Sequence, residues 1–479
     1  MSTITIAWIA LPLFVGFSIY LLPKLDRYLA LGVAMVSVEY GTQLLLTAKS
    51  PLTLQLLDNF GVTLLVDQLS AFFILTNGLV TAAVILYCWQ SGKTAFFYTQ
   101  TIILHGSVNA VFICADFISL YVALEVISIA AFLLIAYPRT DRSIWVALRY
   151  LFVSNTAMLF YLVGAVLVYQ ANHSFAFEGL RGAPPEALAL IFLGLLVKGG
   201  IFVSGLWLPL THSESESPVS ALLSGAVVKT GVFPLLRFAL IVEELDPIVR
   251  IFGVGTALLG VGYAVFEKDT KRMLAFHTIS QLGFILAAPE VGGFYALTHG
   301  LVKGALFLIA GVLPSRNLKE LQHQPINTQI WIALAIASFS ISGFPLLSGF
   351  GAKVLTMKNL VPWEVIGMNV AALGTAISFA KFIFLPHGDS SQGQVKLDFW
   401  LAMILLLGGL IAVNGVYYQA YNFDNIIKPL ATIALGWLAY FLIFKRSVLK
   451  LPRVLEEFDH LIGVMSLMLV LLFWMVFQP

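Results

Sequence analysis

Long apolar stretches, separated by short polar intervals, run through the whole of this chain. About 16 can be marked, roughly at 4–22, 28–47, 67–89, 96–114, 116–137, 144–170, 187–210, 217–242, 247–266, 273–288, 291–313, 327–357, 363–386, 399–420, 427–445 and 458–477. Each is near the ~20 residues an α-helix needs to cross a bilayer, so the pattern predicts an all-α, polytopic transmembrane bundle. The tenth run is short, and the twelfth is broken at Phe344-Pro345 and Gly349. One stretch follows a different period. In PLTLQLLDNFGVTLLV, residues 51–66, Leu52, Leu54 and Leu56 alternate with Thr53 and Gln55 before the turn signal DNFG. That alternation predicts a β-hairpin at the membrane surface, with an irregular amphipathic loop as the alternative. The N-terminus has no basic region and no small-residue cleavage site, and reads as a retained first span.

Basic residues sort by loop. Loops after odd-numbered runs hold 15 of the 27 Lys and Arg residues and loops after even-numbered runs hold 5, the other 7 lying within runs. By the positive-inside rule the odd loops are cytoplasmic and the N-terminus is outside. A weak internal symmetry is also visible. The seventh run has Lys198 beside Gly199-Gly200 and then Pro209. The twelfth has Phe344-Pro345, Gly349 and Gly351 and then Lys353, and the next run in each case carries another lysine, Lys229 or Lys381. The match predicts two inverted five-helix repeats with broken helices in corresponding positions. The chain then divides into N-terminal helices at 1–95 with an outer hairpin at 51–66, a first repeat at 96–242, a second at 247–386, and C-terminal helices at 399–479.

Charge inside the runs is where chemistry is expected. An ammonium near the bilayer centre costs about 2.5–3.5 kcal/mol on insertion scales. Lys198 and Lys229 stand in successive runs, beside residues that break helices. Non-helical backbone at that depth is tolerated only where protein buries it or it lines a water cavity, so this stretch reads as the middle of an ion path. Lysine, unlike arginine, can give up its proton when buried, and a row of lysines bridged by water can pass protons along the membrane plane. Lys353 and Lys381 lie near run ends, where snorkelling to the interface is the competing reading. Glu125, in the middle of the fifth run, needs a partner or a proton; it is either a relay switch or one half of a structural ion pair. Glu39 in the second run reads as a structural or interface residue. His299 and Lys303, spaced i, i+4, share one helical face, and a neutral imidazole can link two lysines because it donates and accepts at once. A core histidine bonded to a carbonyl is the plainer reading, and it suits His105 and His277 better. Arg149 and Arg237, also within runs, are accessory candidates. Ser224, Thr230, Thr278, Ser280 and Ser342 can hold water.

Composition narrows the function further. With 59% hydrophobic and 11% charged residues the chain cannot be a soluble globule. The two cysteines, Cys88 and Cys114, fall in apolar runs and frame no disulfide or metal site. There is no phosphate-binding loop, dinucleotide fingerprint, Cys cluster or HExxH. No cofactor, metal or catalytic residue is therefore expected, and any driving energy must come from an ion gradient or a partner.

The combination of a lysine, WLP, a histidine, PVSALLSG and VKTGVFPLLR resembles the antiporter-like subunits of complex I, of membrane-bound hydrogenases and of Mrp-type Na⁺/H⁺ antiporters. So do FGVTLLVDQLSAFF, DFISLYVALEVIS, KDTKRMLAFHTISQLGF, LTHGLVKGALFLIAG and ISGFPLLSGFGAK. The resemblance covers about residues 60–385. It implies a relay through Glu125, Lys198, Lys229, His299, Lys303 and Lys353, with the Glu125–Lys198 pair as gate. Two departures stand out. Gly205 replaces a histidine that many members carry before WLP, and Ser215-Glu216-Ser217-Pro218 replaces Ala-Pro-Thr-Pro, so the path near Lys198 is expected to be wetter or to pass through His212. Two C-terminal runs exceed the usual 14, and the long lateral helix of some complex I subunits is absent. The implied function is the proton-translocating D-like subunit of an Mrp-type antiporter, in a bacterial cytoplasmic membrane with other membrane subunits as partners and no nucleic acid. A thylakoid location stays open. An inner proton-pumping subunit of a complex I-type oxidoreductase, itself without a redox site, is the alternative; a stand-alone solute carrier is the third reading.

Overall fold

The computed structural model describes residues 2–47, 50–57, 61–388, 395–446, 449 and 451–477. Asp58, Asn59 and Phe60 of the expected turn, and Lys49 and Lys450 of the loop count, lie outside the described residues. Helix occupies every apolar run, because backbone N–H and C=O groups inside lipid must be satisfied within the segment. The membrane helices are α1 (Ser2–Leu21), α2 (Asp26–Thr47), α3 (Gln68–Tyr87), α4 (Ala95–Val111), α5 (Phe117–Ile135) and α6 (Asp141–Asn172). The seventh run divides into α7 (Pro185–Gly199) and α8 (Leu208–Glu214), and the eighth into α9 (Ser217–Leu222) and α10 (Lys229–Ile241). There follow α11 (Asp246–Phe266), α12 (Thr270–Leu286), α13 (Gly292–Ala310), the short surface helix α14 (Leu318–Leu321), α15 (Thr328–Ser342), α16 (Ser348–Lys358), α17 (Glu364–Ile383), α18 (Leu397–Asn414), α19 (Phe423–Leu442) and α20 (Phe458–Val476). Among the described residues 13 helical stretches are long and apolar enough to cross a membrane; α4, α12, α15 and α16 are shorter, at 17, 17, 15 and 11 residues.

Caps set several boundaries. Asp67 and Asp116 accept the backbone N–H of Ser70 and Ser119 at the starts of α3 and α5, and Thr140 and Ser143 form a reciprocal capping box at α6. Strands β1 (Leu52–Gln55) and β2 (Thr63–Val66) pair antiparallel, with Leu52 opposite Val66. Asp116 also accepts from Thr63 N at 2.8 Å, which fastens this hairpin to α5.

Helices α12 and α13 are buried at every residue, and α9–α10 is enclosed through Ala239. Small residues let their neighbours approach, as is usual where helices pack in lipid. A Cβ on Gly231 of α10 would lie 2.2 Å from the backbone nitrogen of Gly199 in α7. The two C-terminal helices separate: α19 packs on α17, and α20 packs on α7 and α6. Glu456, in the turn before α20, anchors the end of that excursion. Its carboxylate accepts from Arg272 Nη2 at 2.6 and 2.8 Å, and its carbonyl accepts from Arg149.

Candidate functional site

The α7 helix ends at Lys198-Gly199 because Gly200 adopts a left-handed conformation, φ +68°, which suits glycine at a helix C-terminus. The chain crosses through a short 3-10 turn, Phe202–Trp207, before α8 resumes. A Cβ on Gly205 would come within 2.2 Å of the Gly200 carbonyl oxygen, so this tight crossing has no room for a side chain at 205. Lys198 is left at the mouth of the break yet buried, 3% exposed. Its ammonium donates to Ser128 Oγ at 2.5 Å, Ser154 Oγ at 2.9 Å and the Leu124 carbonyl at 3.0 Å. All three of its protons therefore have neutral acceptors, two of which are hydroxyls able to donate back to a neutral amine.

Lys229 lies at the next discontinuity. Residues Leu223–Val227 form a π-helical bulge, and Val228 N reaches back to the Leu223 carbonyl. Bulges of this kind leave carbonyls without their ordinary partner. The fully buried Lys229 takes the Ser224 carbonyl at 3.0 Å, while Ser224 Oγ pairs with Thr278 Oγ1 of α12 at 2.7 Å.

The centre is α13. Lys303, also fully buried, donates to the Leu274 carbonyl of α12 at 2.6 Å. His299, one turn earlier, is buried, and among the described residues neither ring nitrogen has a hydrogen-bond partner. It borders a small cavity whose lining mixes Gln281, Tyr295, Thr298 and Ser340 with Val302 and Ile341, and in which Tyr295 donates to Gln281 Oε1 at 2.6 Å. His212 of α8 stacks on Phe307, ring centroids 4.6 Å apart, and the Lys303 ammonium lies 5.9 Å from the same ring. This histidine is thus seated beside the central lysine and not at Lys198.

The second break follows the same local logic. Gly343 takes φ +84° at the end of α15, and α16 resumes at Ser348. Lys353 of α16 is buried at 6% exposure; among the described residues its ammonium has no hydrogen-bond partner, and it faces the Phe284 ring at 5.4 Å. Such a group needs water or a proton acceptor beyond the protein atoms around it.

The accessory candidates are occupied elsewhere. Lys381 donates to the carbonyls of Ala264, Val265 and Glu267 at 3.1, 2.7 and 2.9 Å, capping the end of α11. Arg237 forks onto Asp67, with Nη2–Oδ1 at 3.0 Å, and onto Ser70, tying α10 to the start of α3. Arg149 holds the turn before α20. His105 belongs to a polar cluster of the N-terminal helices, with Ser37 at 2.8 Å and Thr81 at 3.1 Å. His277 packs on Phe379, and among the described residues neither of its nitrogens is bonded, so the carbonyl-bonded core reading does not describe it.

Glu125 is half-buried, with Oε1 free of partners, and among the described residues no ion pair joins it to Lys198. The lysine instead grips the carbonyl of the preceding residue and the hydroxyl one turn beyond. The serines that hold Lys198 were not singled out by sequence reasoning. Ser128, three residues after Glu125 and on its face, carried a usable signal; Ser154 on α6 carried none.

The profile of the family described as "NADH:quinone oxidoreductase/Mrp antiporter, TM" matches residues 114–378. The chain is 26% identical over 454 residues to the D-type subunit of the Na(+)/H(+) antiporter of Alkalihalophilus pseudofirmus, covering 85% of this chain and 91% of that protein. It is 28% identical over 437 residues to the N-type subunit of the NADH-quinone oxidoreductase of Desulforudis audaxviator, covering 79% and 85%. Its fold is similar to that of a chain in the Mrp complex from Dietzia sp. DQ12-45-1b, with a TM-score of 0.73 at 19% identity over 97% of this chain and 100% of that one.

Proposed function

The chain belongs to the NADH:quinone oxidoreductase/Mrp antiporter membrane family, and from that premise we propose that it is the proton-translocating subunit of a multi-subunit Mrp-type Na⁺/H⁺ antiporter. One observation carries the reading: Lys198, Lys229, Lys303 and Lys353 are all buried, each beside a helix break, a π-bulge or the central helix α13. Four ammonium groups in a membrane interior make sense where proton occupancy changes, since a buried lysine can become neutral and an arginine cannot. The likeness to the D-type antiporter protein over 91% of its length favours the antiporter. The likeness to the N-type oxidoreductase protein supports the second reading, a proton-pumping subunit of a complex I-type oxidoreductase.

In this reading Lys198 is the proton-loading end of the relay. Neutral acceptors hold it, so it can release a proton without leaving a buried charge unpaired. Swinging from Ser128 and Ser154 to the open carboxylate oxygen of Glu125 favours the charged lysine, and swinging back favours release toward Lys229. Lys303 and His299 form the centre, His212 the link from α8, and Lys353 the far end. The two broken helices, 155 residues apart at Lys198 and Lys353, are corresponding members of an inverted repeat. The N-terminus faces out of a bacterial cytoplasmic membrane.

Three measurements test this. Purification in mild detergent should recover small antiporter subunits; quinone-binding or Fe–S subunits would instead establish the second reading. In vesicles of the assembled complex, Lys198→Ala and Lys198→Arg should both abolish ΔpH-driven transport, and full activity in the arginine variant would reduce Lys198 to a fixed charge. A cysteine at Thr3 should label from outside and one at Lys319 from the cytoplasm.

A further inference from the structure

Helix α2 shows a feature that the relay does not use. One face packs inward: Ala30, Val33, Ala34, Ser37, Tyr40, Gly41 and Leu44 are buried, and α2 lies against α3. The opposite face is a single stripe at helical spacing, Tyr28, Gly32, Met35, Glu39, Gln43 and Leu46, all exposed. Tyr28 is 63% and Leu46 80% exposed, and a Cβ on Gly32 would meet nothing within 4 Å.

A carboxylate in the middle of that stripe is out of place in lipid. The helix spans 22 residues, about 33 Å at 1.5 Å per residue, and so matches a hydrocarbon core about 30 Å thick. Glu39 is eight residues from the Thr47 end, about 12 Å along the axis. Long lysine and arginine side chains snorkel to the interface from such depths; glutamate is too short. None of the described residues gives the Glu39 carboxylate a hydrogen bond or an ion pair. Ionisable groups within spans nearly always face a bundle interior or a partner. Gln43, one turn further along, adds a second exposed polar group on the same face.

We propose that this stripe is the docking face for a transmembrane helix of another subunit, and that the helix brings a lysine or arginine side chain against Glu39. Charge selects that partner. A second copy of this chain would set the same acidic stripe against itself, bringing like carboxylates together across a self-complementary contact. Attraction to a basic side chain offsets the desolvation cost of the carboxylate and sets the depth at which the two helices meet. Gly32 gives the partner backbone room to approach closely. The assignment needs only that the chain works within a multi-subunit membrane complex, so it stands apart from the choice between antiporter and oxidoreductase.

The test uses the assembled complex, with a photoreactive amino acid placed at Met35 or Leu46 and Glu39 retained. Irradiation should join this chain to a different membrane subunit, through a peptide carrying Lys or Arg within one helical turn of the adduct. Glu39→Lys should abolish the adduct and lower recovery of that subunit about tenfold, equivalent to about 1.4 kcal/mol, and exchanging the partner's basic residue for Glu should restore both. Should the Glu39→Lys chain fail to fold, Glu39→Gln with the same probe should still weaken the adduct. Lipid adducts alone, adducts to a second copy of this chain, or an adduct to another subunit that neither variant changes would overturn the proposal.

Discussion

Replacing Gly231 by alanine tests whether the spacing of the two lysine-bearing helices matters. Gly231 of α10 lies two residues from Lys229, Gly199 of α7 is next to Lys198, and the two glycines face each other across a tight contact between these helices. An added Cβ at 231 would stand 2.2 Å from Gly199 N, 2.5 Å from Gly199 Cα and 2.6 Å from the Leu195 carbonyl oxygen. All three are backbone atoms, so no rotamer change relieves the clash. Ordinary contact begins at 3.4 Å, so the helices must part by about 1.2 Å at this point. Overpacking of that kind costs about 1–3 kcal/mol. A displacement near 1 Å in a group that transfers protons costs on the order of 10²-fold in rate, so transport should fall much further than assembly. Gly199→Ala is the internal control: its Cβ meets the flexible Ile201 side chain at 2.9 Å and Gly231 only at 3.3 Å, so its effect should be clearly smaller. The assay is ΔpH-driven transport by the purified complex in proteoliposomes, with the thermal midpoint measured on the same preparations. Wild-type transport in Gly231→Ala, or equal losses in both variants, would refute the view that this contact sets the relay geometry.

Further outcomes follow from the same structure. Glu125→Gln should slow transport severely but add little to the loss in a Lys198→Ala background, since interacting residues are non-additive; additive losses in vesicle transport would separate the two roles. Glu456→Gln leaves Arg272 buried with only Glu267 at 3.1 Å as an ionic partner, and breaking such a pair costs about 3–5 kcal/mol, read as a lower thermal midpoint and freer proteolysis before α20. Glu267 lies just beyond α11. Burial alone would raise its carboxyl, but the Asp269 backbone N–H, the Arg272 guanidinium and the Lys268 N–H outweigh burial and hold it below its ordinary value. Its contribution to stability is then complete above about pH 4.3 and is lost as pH falls through the depressed value, so the thermal midpoint should drop less on acidification in Glu267→Gln than in the parent chain.

Much of this protein was legible in one dimension. A chain in lipid must satisfy its backbone within each segment, so apolar runs became helices at their expected places, and the alternation at 51–66 corresponds to the β1–β2 pair. The helix breaks were equally local, since Gly200 and Gly343 supply the left-handed conformation that ends α7 and α15 wherever the rest of the chain lies. The lysines were legible too, because charge inside an apolar run is conspicuous without knowledge of its surroundings. What those lysines touch was not. Ser128 and Ser154 reach Lys198 from α5 and α6, sequence separations of 70 and 44 residues, and no periodicity encodes that meeting. Packing alone seats His212 against Phe307 beside Lys303, leaves Glu125 one residue from the carbonyl that Lys198 holds, and turns Lys381 into a cap for α11. A hydrogen bond forms or fails within a few tenths of an ångström, a scale on which hydropathy and spacing are silent. Sequence alone therefore determined which titratable groups stand inside apolar runs and where the helices open, while the tertiary structure decided which neighbour each of those groups meets.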